Sequence, residues 1–160
     1  MEKVNLNDNI ENIEAFAFNS CYNLNLTSLP KSLKNIGPSA FIACTNIKIT
    51  SLPESLTGLG SSAFSGCPNV KISTFGGKLR VIGQQCFKEA GNGNEGAPVE
   101  EIIINYSVEK IEDDAFKGYA TSTLQKVYFA RSDENTLDAY GKTTSQMGFS
   151  SDLIFGQLQN

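Results

Sequence analysis

Ile47-Lys48-Ile49-Thr50-Ser51-Leu52-Pro53-Glu54-Ser55-Leu56-Thr57-Gly58-Leu59-Gly60-Ser61-Ser62-Ala63-Phe64-Ser65-Gly66-Cys67 is one full copy of a pattern that the chain writes five times. The fixed points are phenylalanines. Phe18, Phe41, Phe64 and Phe87 recur 23 residues apart, and Phe116 follows after 29. Each closes the same phrase, as in Ile36-Gly37-Pro38-Ser39-Ala40-Phe41, Ile82-Gly83-Gln84-Gln85-Cys86-Phe87 and Ile111-Glu112-Asp113-Asp114-Ala115-Phe116. Upstream of each lies an apolar, strand-like phrase: Leu24 to Pro30, Ile47 to Pro53, Val70 to Gly76 and Val99 to Asn105. The six residues added to the last spacing fall in the Gly/Asn-rich stretch Gly91 to Pro98, which reads as a surface loop.

A fixed period of this length signals a solenoid. One copy has a short apolar-alternating strand and a second apolar cluster, and it cannot bury both alone. Stacked copies pair their strands about 4.8 Å apart and align equivalent side chains into interior ladders. The phenylalanines form one expected ladder, and Leu33, Leu56, Leu79 and Val108 form another. Pro30 and Pro53 fall where a strand should end, as suits a residue without a backbone donor.

The phrase leucine-x-x-isoleucine-x-isoleucine-proline, followed by isoleucine-glycine-x-x-alanine-phenylalanine-x-x-cysteine, resembles the BspA-type leucine-rich repeat. Residues Ile47 to Cys67 match it nearly throughout, and the likeness covers residues 1 to about 130. The resemblance implies a β-rich solenoid of 23-residue leucine-rich repeats, stacked in a short, curved, right-handed array with a parallel sheet on one face. It also implies a protein-binding role, since members are mostly bacterial and protist surface proteins of adhesion, with similar repeats in phage structural proteins. No catalytic residues come with the family.

Two segments depart from the repeat. Leu124-Gln125-Lys126-Val127-Tyr128-Phe129 supplies a sixth strand, which closes a solenoid domain over residues 1–130. Residues 131–160 read as a capping segment, with a short helix from Ser132 to Tyr140 stopped by Gly141 and a closing strand from Ser150 to Phe155. At the other end, Met1 already occupies the first apolar position of a repeat. Met1, Val4 and Leu6 are therefore expected to leave an open apolar edge that favours docking or self-association.

Thirteen basic and seventeen acidic residues give a net charge of −4, which argues against a nucleic-acid partner. No apolar run is long enough for membrane insertion, and the N-terminus lacks the features of a signal peptide. The chain as written is expected in the cytoplasm or a virion, or at the cell surface if it belongs to a larger protein. Histidine is absent, which removes the usual general base and the commonest metal ligand together. We therefore expect no enzyme, no cofactor and no metal site.

The remaining chemistry reads blandly. Cys21, Cys44 and Cys67 occupy one repeat column and Cys86 an adjacent one, which suits buried free thiols better than a zinc site. Neighbouring coils would also bring such residues within disulfide range. Gly91-Asn92-Gly93-Asn94-Glu95-Gly96 matches a dinucleotide-binding pattern in letters, but it leads into a strand rather than a helix. Asn25-Leu26-Thr27 and Asn105-Tyr106-Ser107 fit the glycosylation pattern incidentally, and Glu112-Asp113-Asp114 falls on a turn position.

Charge and the strand centres point to surfaces instead. Residues 25–90 hold seven basic and two acidic side chains, whereas residues 91–114 hold one and seven. The outward column runs Asn5, Ser28, Ser51, Thr74, Ile103, Tyr128, small and polar until its last two members. An isoleucine beside a tyrosine on such a face suits an interface anchor. The candidate partner site is therefore Ile103 and Tyr128, with Glu100, Glu101 and Glu109 steering, plus Met1, Val4 and Leu6 for attachment. The column Leu26, Ile49, Ile72 is ambiguous: it points inward if phased from Leu24 and outward if phased from Leu29.

Overall fold

A computed structural model describes residues 4–130 and the strand Leu137–Tyr140. Among these residues the regular structure is entirely β. Five coils stack, each centred on one of the repeated phenylalanines. Their rings lie face to face along the axis, with centroids 5.1 Å apart for Phe18–Phe41, 5.3 Å for Phe41–Phe64, 5.5 Å for Phe64–Phe87 and 5.4 Å for Phe87–Phe116. The interplanar angles never exceed 12°. The expected second ladder is present too, with Leu33, Leu56, Leu79 and Val108 all buried.

Backbone hydrogen bonds set the stacking register. In the turn segment of coil 1, Phe16, Phe18 and Ser20 donate to Pro38, Ala40 and Ile42 of coil 2, at 3.0, 2.8 and 2.9 Å. The residues between them, Ala17, Asn19 and Cys21, donate within the coil to Glu14, Phe16 and Phe18. The scheme repeats at Ser39, Phe41 and Ala43, at Ser62, Phe64 and Gly66, and at Gln85, Phe87 and Glu89. Alternate donation requires two left-handed residues per coil: Phe16 and Ser20, Ser39 and Ala43, Ser62 and Gly66, Gln85 and Glu89, Asp114 and Gly118. Each non-glycine costs on the order of 1 kcal/mol in that conformation. The bonds it aligns offset this, because an unpaired amide buried between coils costs more.

Close approach explains the glycine of the three middle phrases. A Cβ on Gly37 would lie 2.5 Å from the backbone nitrogen of Ala15, one on Gly60 2.5 Å from that of Pro38, and one on Gly83 2.6 Å from that of Ser61. Coil 1 has no preceding coil among the described residues, and there the position is Glu14. In coil 5 it is Glu112, whose carboxylate accepts the Gln84 N–H at 3.0 Å.

The sheet differs from expectation in its place and number. One parallel sheet runs the length of the stack through β1 (Asn12–Ile13), β2 (Asn35–Ile36), β3 (Gly58–Leu59), β5 (Val81–Ile82) and β7 (Lys110–Ile111). Its inner residues Ile13, Ile36, Leu59, Ile82 and Ile111 are buried. A second sheet joins β4 (Thr74–Phe75), β6 (Glu101–Ile104), β8 (Lys126–Ala130) and β9 (Leu137–Tyr140). It therefore occupies only the C-terminal half of the face where one continuous sheet was expected.

Two consecutive outward residues cause this interruption and resolve the ambiguous column. Leu26 and Leu29 are both buried while Thr27 and Ser28 between them are exposed, and Thr50–Ser51 and Ser73–Thr74 repeat the arrangement at exposed positions. An outward pair acts like a bulge, breaking period-two alternation and strand pairing. Single bonds remain there, Lys48 N–H to Leu26 at 2.8 Å and Lys71 N–H to Ile49 at 2.9 Å. In coil 5 the outward pair, Glu100 and Glu101, comes earlier, so Ile102 to Ile104 alternate regularly and pair with β8.

The insertion lies beside this phase change. Tyr119 occupies the cysteine column, above Ala90, and its ring reaches back to coil 4. There its hydroxyl accepts the Ile72 N–H at 2.7 Å and donates to the Ile72 carbonyl at 2.8 Å, with only 2% of the residue exposed. Gly91 leaves room for that ring, since a Cβ would meet it at 2.9 Å. Asn92 then clasps coil 5, donating to the Gly118 carbonyl and accepting from the Thr121 amide. The loop thus has a built-in base and an exposed tip, rather than being a plain spacer.

Two more expectations change. Leu137–Tyr140, expected as the end of a helix, forms β9, antiparallel to β8, with Tyr128 opposite Ala139. Ser132 to Thr136, Gly141 and the closing strand at Ser150 to Phe155 lie outside the described residues. All four cysteines are free thiols, but Cys21 is exposed while Cys44, Cys67 and Cys86 are buried. Cys21 stands on coil 1, where its column has no earlier neighbour among the described residues.

Phe64→Ala should cost about 3–5 kcal/mol in denaturant melts, as for a truncated core aromatic. Phe18→Ala should cost less, because Phe18 is half-buried with one stacked neighbour. Gly60→Ala should destabilise by about 1–3 kcal/mol through overpacking. Glu14→Ala, at the equivalent position of coil 1, should stay within about 0.5 kcal/mol of the parent.

Candidate functional site

The second sheet is the expected partner face. β6 and β8 pair in parallel with Glu101 opposite Lys126 and Ile103 opposite Tyr128, and Thr74 flanks Ile103 on β4. Alternation turns Glu101 and Ile103 outward while Ile102 and Ile104 enter the core. Ile103 and Tyr128 are half-buried rather than fully displayed. Glu101 is shared: the Lys126 ammonium lies 3.4 Å from its Oε1, and the Tyr128 hydroxyl donates to the same oxygen at 3.4 Å. This hydrogen bond and the attending charge hold the Lys126 pKa above its ordinary value.

The three glutamates do not form one band. Glu100 is exposed, and its carbonyl accepts the amides of Gln125 and Lys126. Glu109 precedes β7 on the other sheet and pairs with Arg80 at 3.6 Å. Only Glu101 therefore shares the outward row of Ile103 and Tyr128.

On coil 1, Val4 is exposed and its N–H donates to the Asn25 carbonyl, while Leu6 is half-buried against the core. Met1 lies outside the described residues. Two larger exposed side chains were missed: Phe16, 60% exposed, and Tyr22, 58% exposed. A signal for Phe16 existed, because its column otherwise reads Ser39, Ser62, Gln85, Asp114. An aromatic at a polar turn position is an outward aromatic. Tyr106, 53% exposed at the end of β6, was missed as well.

Reactive groups are arranged for structure. Burial pushes the Cys44 thiol up to about 11 and the Cys67 thiol up to about 12, and raises Cys86 further. The thiols serve as packing atoms that also donate, Cys44 to the Phe18 carbonyl and Cys67 to the Phe41 carbonyl, each at 2.9 Å. Glu112 is bonded by Lys110 at 2.8 Å and by the Gln84 amide, which together hold its carboxyl below the usual range. Among the described residues no three histidine, cysteine, aspartate or glutamate side chains gather into a metal-binding group. The Gly91–Gly96 loop meets Tyr119 and Asn69 instead of opening a helix. Asn25 and Asn105 are both partly buried in the coil stack.

Native alkylation at neutral pH should label Cys21 alone, with four labels after denaturation and no prior reduction. Since burial raises the folded pKa values of Cys44 and Cys67 above 9.0, their contribution to stability is full below pH 9. It is lost as pH rises toward 11 and 12. An alkaline denaturation series with Cys67→Ala as reference measures it.

Comparison with known proteins agrees with the geometry. The profile of the BspA-type leucine-rich repeat region, six copies long, matches residues 1–93. No match was found among curated proteins. Beyond residue 93 the same coil continues, with Phe116 closing the aromatic ladder and β7 extending the long sheet. With a matched repeat over more than half its length and the stacked coils that repeat encodes, the chain belongs to the BspA-type leucine-rich-repeat family.

Proposed function

We propose that the chain is a non-catalytic, protein-binding repeat module of the adhesion or recognition type. The observation that carries this is where its exposed apolar side chains stand. Among the described residues, Val4, Phe16, Tyr22 and Tyr106 are the large hydrophobics left exposed, and the first three belong to coil 1. Large apolar groups gathered on one surface mark recognition sites, whereas scattered ones need no explanation. Half-buried Leu6, Ile10 and Phe18 of the same coil pack against the core. The partner is another protein, attached at coil 1 and read by the row Glu101, Ile103, Tyr128 on the second sheet. Met1 extends the attachment surface, with Glu100 and Glu109 as outlying charges.

A second reading rests on a separate observation. β1 is an edge strand of the long sheet, and Phe18 has one stacked neighbour among the described residues. Such an end accepts a further layer, as a structural subunit of a virion or other assembly would use it. Nucleic acid is disfavoured by the net charge of −4. No helix among the described residues is long and apolar enough to cross a membrane.

Light scattering and partner capture separate the two surfaces. Tyr128→Ala with Ile103→Ser should reduce capture at least about tenfold, as expected for an interface anchor, and leave the mass in solution unchanged. Val4→Lys with Phe16→Ser should change assembly or attachment and leave the second sheet's contribution intact. If both double variants bind and assemble like the parent, the partner surface lies elsewhere.

A further inference from the structure

At the corner that follows the strand face, coil 4 carries Gly76-Gly77 where its neighbours carry Pro53-Glu54 and Asn105-Tyr106. The two glycines leave a notch of about 460 Å3. Glu54 and Pro53 of coil 3 form one wall and Asn105, Tyr106 and Ser107 of coil 5 the other. Side chains on coil 4 would close it: a Cβ on Gly77 would collide with the Glu54 carboxylate, and one on Gly76 would press on Asn105 at 3.0 Å. The outward pairs Thr50–Ser51 and Ser73–Thr74 continue the lining with four hydroxyls.

Two buried polar atoms in this lining have no partner, Asn105 Oδ1 and Ser107 Oγ. Ser107 is only 4% exposed. Its backbone is fixed, because Arg80 Nη1 donates to its carbonyl at 3.1 Å. Buried polar groups are nearly always satisfied, so an orphaned pair in one hollow points to a polar occupant. The Glu54 carboxylate, outside any ion pair among the described residues, adds acceptors. Tyr106 stands 53% exposed at the rim, offering an apolar ring face and a polar tip.

The chemistry of the occupant follows from that inventory. The Glu54 carboxylate needs donors, while the hydroxyls both give and accept. A cationic ligand would meet the positive band of residues 25–90, whose Lys78 directly follows Gly77. A neutral ligand with many hydroxyls supplies donors without that repulsion and has a C–H face for a tyrosine ring. We infer that the notch between Glu54 and Tyr106 is a binding site for a neutral saccharide. It is independent of the protein-binding surfaces on coil 1 and on β6 and β8.

The test is an amide NMR titration of the intact chain with methyl α-mannoside, methyl β-galactoside, maltose, lactose and diacetylchitobiose, with arginine amide and sulfate as further arms. At least one sugar should give saturable shifts at Gly76, Gly77 and Tyr106, with weak, millimolar affinity. Glu54→Gln and Tyr106→Ala, both at exposed positions, should each weaken it at least about fivefold while the remaining amide spectrum stays native. Lack of saturable shifts with every sugar up to about 50 mM, where affinity would be negligible, overturns the proposal. So do shifts that survive both substitutions, or a response to arginine amide or sulfate in place of sugar.

Discussion

Everything in this molecule must fit within the separation of two adjacent backbones. Once the turn-segment amides donate to the carbonyls of the next coil, the rise per copy is fixed near one strand spacing. Rings stacked at that rise must be flat to one another, as the phenylalanine column is. Backbone passes directly over backbone at Gly37, Gly60 and Gly83, where a side chain would clash, whereas Glu14 has no earlier coil among the described residues and Glu112 of coil 5 turns its carboxylate onto the Gln84 amide. The left-handed residues accompany the same bonds, standing at the first and last of the three amides that each coil donates to the next. A ladder pair of aromatics adds about 0.5–1.5 kcal/mol beyond its burial. The aromatic column therefore reinforces a register that the backbone has already set.

The ladders were readable in the sequence for this reason: residues one period apart are residues in contact. The period alone identified the phenylalanine and leucine columns, the insertion and the sixth strand. The place of the long sheet was not readable, because the two residues at Asn12–Ile13 and its equivalents carry no strand signature by composition. Their pairing is imposed by the stack. The outward pair Thr27–Ser28 was likewise hidden, since a bulge depends on backbone phase and not on residue type. β9 was misread because Ser132 to Tyr140 carries a helix-start pattern, and a free edge on β8 overrode the local preference of its last four residues. In the candidate site, Ile103 and Tyr128 were legible as an outward column, but their depth depends on neighbours that a column does not show. Phe16, Tyr22 and Tyr106 were not legible as a surface because they stand in turns, where no period-two alternation marks an outward face.

Coil 5 shows what happens when the period is broken. Where extra residues separate coils 4 and 5, Tyr119 bonds both the amide and the carbonyl of Ile72 from 47 positions away. The shift also moves the outward pair to Glu100–Glu101, which frees Ile102 to Ile104 for regular pairing and makes β6 and β8 the longest strands in parallel register. The loop itself folds back to coil 3, where Glu95 meets Lys48 at 2.5 Å. One irregularity thus ties together coils 3, 4 and 5 from the outside.

This pattern bears on where recognition can reside. Identical coils present identical rows, and a row of serines and threonines repeated at one spacing offers a partner several equivalent registers. A unique binding position needs something that occurs once. The array supplies such features in two ways: at its first coil, where Phe16 and Tyr22 replace polar or small turn residues, and around the insertion, where β6, β8 and the Gly76–Gly77 notch have no copies. Both proposed surfaces and the saccharide notch stand at or beside these breaks, with coil 2 between coil 1 and the coil-3 wall of the notch. Specificity in such a repeat protein is therefore carried by departures from the repeat, and the repeat carries the rigidity that makes those departures geometrically definite.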